Sequence, residues 1–77
     1  MKEFIEFIVK HLVNHPEDVQ VGEVEGEHFI VYELRVAKSD RGLVLGRRGQ
    51  HADAIRHLLN AAAATRTRKR VTLEILE

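Results

Sequence analysis

The spacing of apolar residues predicts an amphipathic helix at the start of the chain. Over residues 3–14, apolar side chains recur every three or four positions, which places them on one helical face. Phe7 widens this face, and Glu3 and Glu6 suit the positive amino-terminal end of a helix. Pro16 should end the helix, because the residue before a proline disfavours the helical conformation. The expected core positions are Phe4, Ile5, Ile8, Val9, Leu12 and Val13.

Two segments with alternating apolar residues follow, and they predict a β-hairpin that turns over residues 25–27. In the first strand, residues 18–25, Val24 breaks the alternation of apolar and polar residues. A bulge at Gly22 would turn Val24 back to the apolar face of the strand. The second strand, residues 28–36, is apolar on both faces, which is typical of the central strand of a sheet. Its inward positions are Ile30, Tyr32, Leu34 and Val36, and Phe29 and Val31 partly cover the other face.

A short helix, a longer helix and a last strand complete the chain. Ser39 or Asp40 can cap a helix that runs to residue 45, and Gly46 ends it. A longer helix is expected over residues 49–65. An alternating apolar pattern then predicts a strand over residues 70–76. The core stripe of the longer helix is expected to be Ile55, Leu58, Leu59 and Ala62.

The order helix, strand, strand, helix, helix, strand predicts an α+β fold. A strand that crosses over through helices to the next strand usually runs parallel to it, whereas the hairpin strands are antiparallel. We therefore expect a mixed three-stranded sheet with residues 28–36 in the centre. All three helices should lie on one face, because so small a sheet can bury only one side. Residues 1–77 are expected to form a single domain.

The charges are unevenly distributed along a chain whose formal net charge is zero. Residues 1–34 carry −6, residues 35–70 carry +8 and residues 71–77 carry −2. A separation of this kind is typical of nucleic-acid binders, in which one face is basic. The zero net charge therefore does not argue against a nucleic-acid partner.

Several other classes of protein are disfavoured by the composition. The chain has no cysteine, so disulfides and thiolate metal sites are excluded. No apolar run approaches the ~20 residues of a membrane span, and the first residues lack the order of a secretory signal. We expect a cytoplasmic protein without a membrane association.

The segment with the most distinctive chemistry is the Gly-x-x-Gly loop, residues 46–49, which separates the two central helices. Gly46 and Gly49 enclose Arg47 and Arg48, and the longer helix begins at once. Glycine permits close approach of a ligand to the backbone, and a helix start offers unpaired N–H groups and partial positive charge. These features together predict a binding site for the phosphate backbone of a nucleic acid.

The sequence of residues 37–56, AKSDRGLVLGRRGQHADAIR, resembles the central signature of the KH domain. The element order resembles the type II arrangement, and the length and flanks resemble the KhpA family of small bacterial RNA-binding proteins. The family commonly has a lysine and a polar residue between the two glycines, whereas both positions are arginine here. The second arginine should strengthen attraction to phosphate and loosen sequence preference.

The resemblance implies that the loop contacts the backbone of single-stranded RNA and that neighbouring apolar residues line a groove for bases. It also implies a role as an RNA chaperone or post-transcriptional regulator. It further implies a larger KH-containing RNA-binding protein as a partner. The resemblance also implies effects of the protein on cell division, cell shape and the envelope. The RNA-binding residues predicted in this way are Gly46, Arg47, Arg48, Gly49, Val44 and Leu45, with Leu43 and Ile55 as further groove candidates. The alternative for Val44 and Ile55 is a place in the core, which we expect for at least one of them.

Other basic residues lie close enough in sequence to add phosphate contacts. Lys38 and Arg41 are near the start of the short helix, and Arg56 is two turns beyond the loop. Cations are favoured at a helix carboxyl end, which explains the later basic cluster as well as RNA contact does. We therefore leave Arg66, Arg68, Lys69 and Arg70 outside the predicted site.

The alternative function from a different class is that of a protein-interaction subunit. In that case a sheet edge or the face of residues 61–64 would dock a second copy or a larger partner, and RNA binding would be incidental. An enzyme is the least supported interpretation, because no nucleophile accompanies the pair Asp53 and His57. His11 and His15 lack a third metal ligand, so neither a metal nor a cofactor is expected.

Overall fold

The computed structural model describes residues 1–76 and contains three α-helices and three strands. In chain order these are α1 (Lys2–Lys10), β1 (Gln20–Glu25), β2 (Phe29–Arg35), α2 (Arg41–Leu45), α3 (Gln50–Ala63) and β3 (Arg70–Ile75). The element order and the α+β class match the sequence prediction. Short 3₁₀ turns precede β1 and α2 and occupy part of the Gly-x-x-Gly loop. None of the helices described is long and apolar enough to cross a membrane.

The sheet has the order β1-β2-β3, with β2 in the centre as predicted. β1 and β2 pair antiparallel without interruption, and β2 and β3 pair parallel. The predicted bulge at Gly22 is wrong. Gly22 faces Glu33 in register, and Val24 faces Val31. Val24 lies on the open face of the sheet and remains 47% exposed, so the alternation is kept without an extra residue.

One hydrophobic core fills the space between the helices and a single face of the sheet. Tyr32 and Leu34 of β2 lie at its base and are at most 3% exposed. All three helices contribute to the same cluster, so they cover the same side. The buried apolar residues are Ile5, Val9, Val19, Val21, Ile30, Tyr32, Leu34, Val36, Val44, Ala52, Ile55, Leu59, Ala63, Val71 and Leu73.

The helices differ from their predicted limits and faces. α1 ends at Lys10 rather than at residue 14, and Phe7 is 65% exposed instead of widening the buried face. In α3 the buried stripe is Ala52, Ile55, Leu59 and Ala63. Leu58, predicted as core, is 52% exposed. Compared with the prediction, the buried face of α3 is rotated so that it includes Ala52 and Ala63 and excludes Leu58. The small side chains of alanine allow the helix backbone to lie close to the sheet.

Asp40 has a different role from the predicted helix cap. It stands at the N-cap position of α2 but makes no side-chain capping bond. Its fully buried carboxylate instead accepts hydrogen bonds from the backbone N–H groups of Asn14, at 3.2 Å, and His15, at 2.9 Å. Asp40 thus joins the start of α2 to the segment that follows α1.

Candidate nucleic-acid interface

The backbone of the Gly-x-x-Gly loop adopts conformations that favour glycine. Gly46 has φ 71° and ψ 176°, and Gly49 has φ 76° and ψ 13°. The N–H of Gly46 donates to the carbonyl of Gly42 at 2.9 Å and completes α2. The N–H of Gly49 donates back to the carbonyl of Gly46 at 3.2 Å. The two bonds make a compact turn between the helices.

The two glycines are required for different reasons. A Cβ at Gly46 would lie 2.7 Å from Cγ of His51 and 2.8 Å from its backbone nitrogen, so no side chain fits there. A Cβ at Gly49 would meet nothing within 4 Å. Gly49 is therefore required only by its positive φ, and the space beside it is open to a ligand.

Arg47 and Arg48 project into solvent from this turn. Both are exposed, and neither forms an ion pair with any residue between 1 and 76. Arg48 has φ 56° and ψ 27°, a left-handed conformation that costs a non-glycine residue about 1–2 kcal/mol. The loop thus presents two unpaired cations immediately before the amino terminus of α3, where N–H groups lack helical partners.

An apolar ledge lies beside the loop on α2. Leu43 and Leu45 are 40% and 43% exposed, and a Cβ at Gly42 would meet nothing within 4 Å. Val44 and Ile55 were also predicted to line a base groove, but they are 0% and 3% exposed. They belong to the core, because Val44 lies on the face of α2 that packs against the core cluster and Ile55 is part of the buried stripe of α3.

The three flanking basic residues have different surroundings. Lys38 is exposed in the turn before α2. Arg41 is partly buried, and its Nε is buried without a hydrogen-bond partner in the described chain. Arg56 donates from Nε and from one terminal nitrogen to the carbonyl of Leu73, at 3.3 Å each, and its other terminal nitrogen lies 3.5 Å from Asp53. Arg56 is thus engaged in holding α3 to β3.

His51 contributes to the loop in a way that sequence reasoning did not assign. Its Nδ1 donates to the carbonyl of Leu43 over 2.6 Å. The ring lies so close to the Cα of Gly46 that it leaves no room for a Cβ on that residue. His51 therefore ties the end of α2 to the start of α3. The only signal in the sequence was its position, two residues after the second glycine.

His11, His15 and Lys69 take part in surface contacts. His11 hydrogen-bonds the carbonyl of Phe7 at 2.7 Å. His15 lies 3.4 Å from Glu17, and Asp18 completes an exposed group whose potential ligand atoms are within 4.8 Å of one another. The contact with Glu17 accounts for the position of this imidazole. Lys69 contacts Glu25 at 2.5 Å, which lowers the pKa of that carboxyl through a hydrogen bond and charge attraction.

Comparisons with known proteins identify the family. The family model described as "KhpA/KhpB, KH domain" matches residues 2–75. The chain is 51% identical over 77 residues to "RNA-binding protein KhpA" of Chlamydia pneumoniae, covering 100% of this chain and 97% of that protein. It is 53% identical over 75 residues to the protein of that name from Borreliella burgdorferi, covering 97% and 90% of the two chains.

A solved structure supports the fold. The crystal structure of Era, in complex with MgGDPNP and nucleotides 1506–1542 of 16S ribosomal RNA, aligns with a TM-score of 0.59. The match covers 97% of this chain and 30% of Era, at 17% identity. At this identity the likeness concerns the fold alone. The full-length similarity to KhpA proteins and the family match establish that the chain belongs to the KhpA/KhpB family of KH-domain proteins.

Proposed function

We propose that the protein binds single-stranded RNA through the Gly-x-x-Gly loop and does not act as an enzyme. The observation that carries this proposal is the pair of exposed arginines held between two glycines at the start of α3, neither of which has an ion-pair partner in the described part of the chain. The RNA-binding activity named for the KhpA relatives supports it.

The phosphate backbone would lie against the loop and the amino terminus of α3. Cations at a helix amino terminus are disfavoured by about 0.3–1 kcal/mol, so Arg47 and Arg48 gain nothing structurally from this location. A bound phosphate relieves the repulsion and accepts charge-assisted hydrogen bonds. The absence of a Cβ at Gly49 lets a phosphate approach the backbone.

Bases would contact the apolar ledge formed by Leu43, Leu45 and the open backbone of Gly42. Lys38 and Arg41 flank this ledge and would add phosphate contacts. Arg56 would contribute only if it exchanged its hydrogen bonds to Leu73, and Val44 is excluded by burial. The resulting interface is aliphatic and basic rather than aromatic.

The test is an RNA titration of the double variant Arg47→Asp/Arg48→Asp. The matched control is Lys2→Asp/Lys10→Asp, which makes the same charge change at two exposed residues of α1. Fluorescence anisotropy with a single-stranded RNA should show loss of binding only in the loop variant. If about three phosphates are contacted, log affinity should fall against log salt with a slope of about −2. Equal affinities for the two variants, or a flat salt response, would contradict the proposal.

The cellular role implied by family resemblance is that of an RNA chaperone or post-transcriptional regulator. A larger KH-containing protein of the KhpB type would act with it in processes that affect cell division and shape. Crosslinking and sequencing of bound RNA, with the loop variant as the control, would identify the targets. Recovery of the same RNAs by the loop variant would argue that the loop does not select them.

A protein-docking role remains the second candidate, and exposed apolar residues on α3 favour it. Leu58 is 52% exposed and Ala61 is exposed on the same side of the helix. Ala63 is 3% exposed and cannot belong to such a face, contrary to the sequence prediction for residues 61–64. Leu58→Glu should therefore reduce self-association or partner capture while leaving RNA affinity unchanged. An unaltered oligomeric state and undiminished partner binding would exclude this face.

A further inference from the structure

We infer that the open face of the sheet, at the start of β2 and β3, holds a second contact for single-stranded RNA. The contact surface consists of Phe29, Arg68 and Arg70, and we call it the distal platform. This inference extends the proposed function, because it concerns the same RNA strand at a position beyond the loop.

The distal platform combines an aromatic ring with neighbouring cations. Phe29 and Arg70 are direct partners in the parallel pairing of β2 with β3. Their successors Ile30 and Val71 are buried, so alternation directs both Phe29 and Arg70 to the open face of the sheet. Phe29 is 43% exposed. An aromatic ring beside a guanidinium is the arrangement on which bases of a single strand stack without sequence preference.

The ring of Phe29 is held in place before any ligand arrives. It lies directly over Gly26, where a Cβ would come within 2.3 Å of the ring. The N–H of Gly26 donates to the carbonyl of Phe29 at 2.8 Å and closes the hairpin turn. A preorganised aromatic side chain loses little conformational entropy on binding.

Helix termination does not account for the two arginines. α3 ends at Ala63, and the effect of the helix dipole is confined to the last turn. Arg68 and Arg70 lie beyond that turn, are exposed, and pair with no carboxylate among residues 1–76. By contrast, Lys69 is paired with Glu25. Arg70, next to Phe29 in the sheet, and the exposed Arg68, two residues earlier in the chain, therefore complement an anionic, aromatic ligand.

The distal platform and the loop lie at opposite ends of the domain. β2 leads into α2 and the loop at its carboxyl end, and α3 returns to the amino end of β3. The 14 residues of α3 span about 21 Å at 1.5 Å per residue. A stacked strand rises about 3.4 Å per nucleotide, so at least roughly six nucleotides separate the two contacts, which also lie on opposite sides of the sheet. An RNA of about four nucleotides can fill the loop alone, whereas one of about twelve can reach both sites.

The experiment compares these two lengths of RNA by fluorescence anisotropy. The platform variants are Arg68→Glu/Arg70→Glu and Phe29→Leu, the second of which keeps an apolar side chain over Gly26. The matched controls are Lys2→Glu/Lys10→Glu for charge and Phe7→Leu for an exposed aromatic residue. Circular dichroism and thermal unfolding check that each variant is folded.

Both platform variants should weaken binding of the long RNA about fivefold or more, and they should leave binding of the short RNA within about twofold. The charge variant should also reduce the salt slope for the long RNA by about 1.4, which corresponds to two lost phosphate contacts at ~0.7 each. Long-RNA affinities equal to those of the two controls would overturn the inference. A loss confined to the charge variant would remove the stacking role of Phe29.

Two further outcomes separate this inference from its alternatives. If Arg47→Asp/Arg48→Asp leaves the short-RNA affinity intact, the proposed function fails, whatever the platform variants do. The second experiment measures binding of the wild type and the charge variant to vesicles that contain anionic phospholipid. Loss of vesicle binding by the charge variant, with unchanged affinity for long RNA, would assign the platform to a membrane surface and overturn the inference.

Discussion

Nδ1 of His51 and the carbonyl oxygen of Leu43 are joined by a 2.6 Å hydrogen bond across the junction of α2 and α3. Because the carbonyl can only accept, Nδ1 carries the proton. His51→Ala removes this bond and should lower the free energy of unfolding by about 0.5–1.5 kcal/mol. It should also weaken RNA binding, because the loop loses its support. His51→Asn, whose amide can donate from a similar position, should retain more of both.

The measurement is urea unfolding together with RNA titration of the two variants. Ring ¹⁵N chemical shifts of the wild type should report a protonated Nδ1 at neutral pH. Equal losses in His51→Ala and His51→Asn, or a spectrum with the proton on Nε2, would contradict this role for the imidazole.

Alanine substitutions at the two loop glycines should have unequal effects. Gly49→Ala introduces only the strain of a positive φ, about 1–2 kcal/mol. Gly46→Ala adds a collision with His51 to backbone strain of about 1–3 kcal/mol, since its φ and ψ lie in a region almost exclusive to glycine. Chemical denaturation should therefore place Gly46→Ala as the less stable variant. The reverse order would mean that the junction relaxes around the new methyl group.

Asp40 should be a major determinant of stability, because its buried carboxylate joins the start of α2 to the segment that follows α1. Asp40→Ala removes the two hydrogen bonds that the buried carboxylate accepts from the N–H groups of Asn14 and His15, and a hydrogen bond to a charged group contributes about 1.5–3 kcal/mol. Asp40→Asn retains one oxygen and should lose less. The control is Asp53→Asn, which alters an exposed carboxylate. A destabilisation of Asp40→Ala no larger than that of the control in urea would disprove the assignment.

Tyr32, the single tyrosine, provides an intrinsic probe of the core. Burial raises the pKa of its hydroxyl, and the nearby carboxylate of Glu23 raises it further. In the unfolded chain a tyrosine ionises near pH 10. The folded state therefore resists ionisation, so stability is fully present below pH 10 and falls as the pH rises above it toward the folded pKa.

Phenolate absorbance measured against pH should show a midpoint above that of the unfolded chain, with alkaline unfolding at or before it. Glu23→Gln should move the midpoint downward by a small amount, since burial is the larger cause. A wild-type midpoint at the value of free tyrosine would show that the hydroxyl is hydrated in the folded state.

Local sequence patterns were sufficient to predict much of the fold. The alternation of Ile30, Tyr32 and Leu34 predicted the central strand, and crossover geometry predicted its parallel pairing with β3. Interactions between distant segments were not accessible in this way. The carboxylate of Asp40 reaches backbone groups 25 and 26 residues earlier, and nothing in the local pattern favours that over a helix cap.

The same contrast between local patterns and long-range packing applies to the candidate site. The conformations of Gly46 and Gly49 and the exposure of Arg47 and Arg48 agree with what residue types alone suggested. The burial of Val44 depends on how α2 is rotated against the core, and periodicity over a five-residue helix does not determine that rotation.

The hydrogen bonds of Arg56 affect the edge of the sheet that is formed by β3. Arg70 and Leu76 donate toward β2, so alternation along β3 turns the carbonyl of Leu73 outward. Exposed strand edges of this kind template edge-to-edge aggregation. The guanidinium from α3 occupies that outward acceptor. A side chain first considered as a phosphate ligand thus closes part of the β3 edge to strand addition and helps to keep this small domain from aggregating.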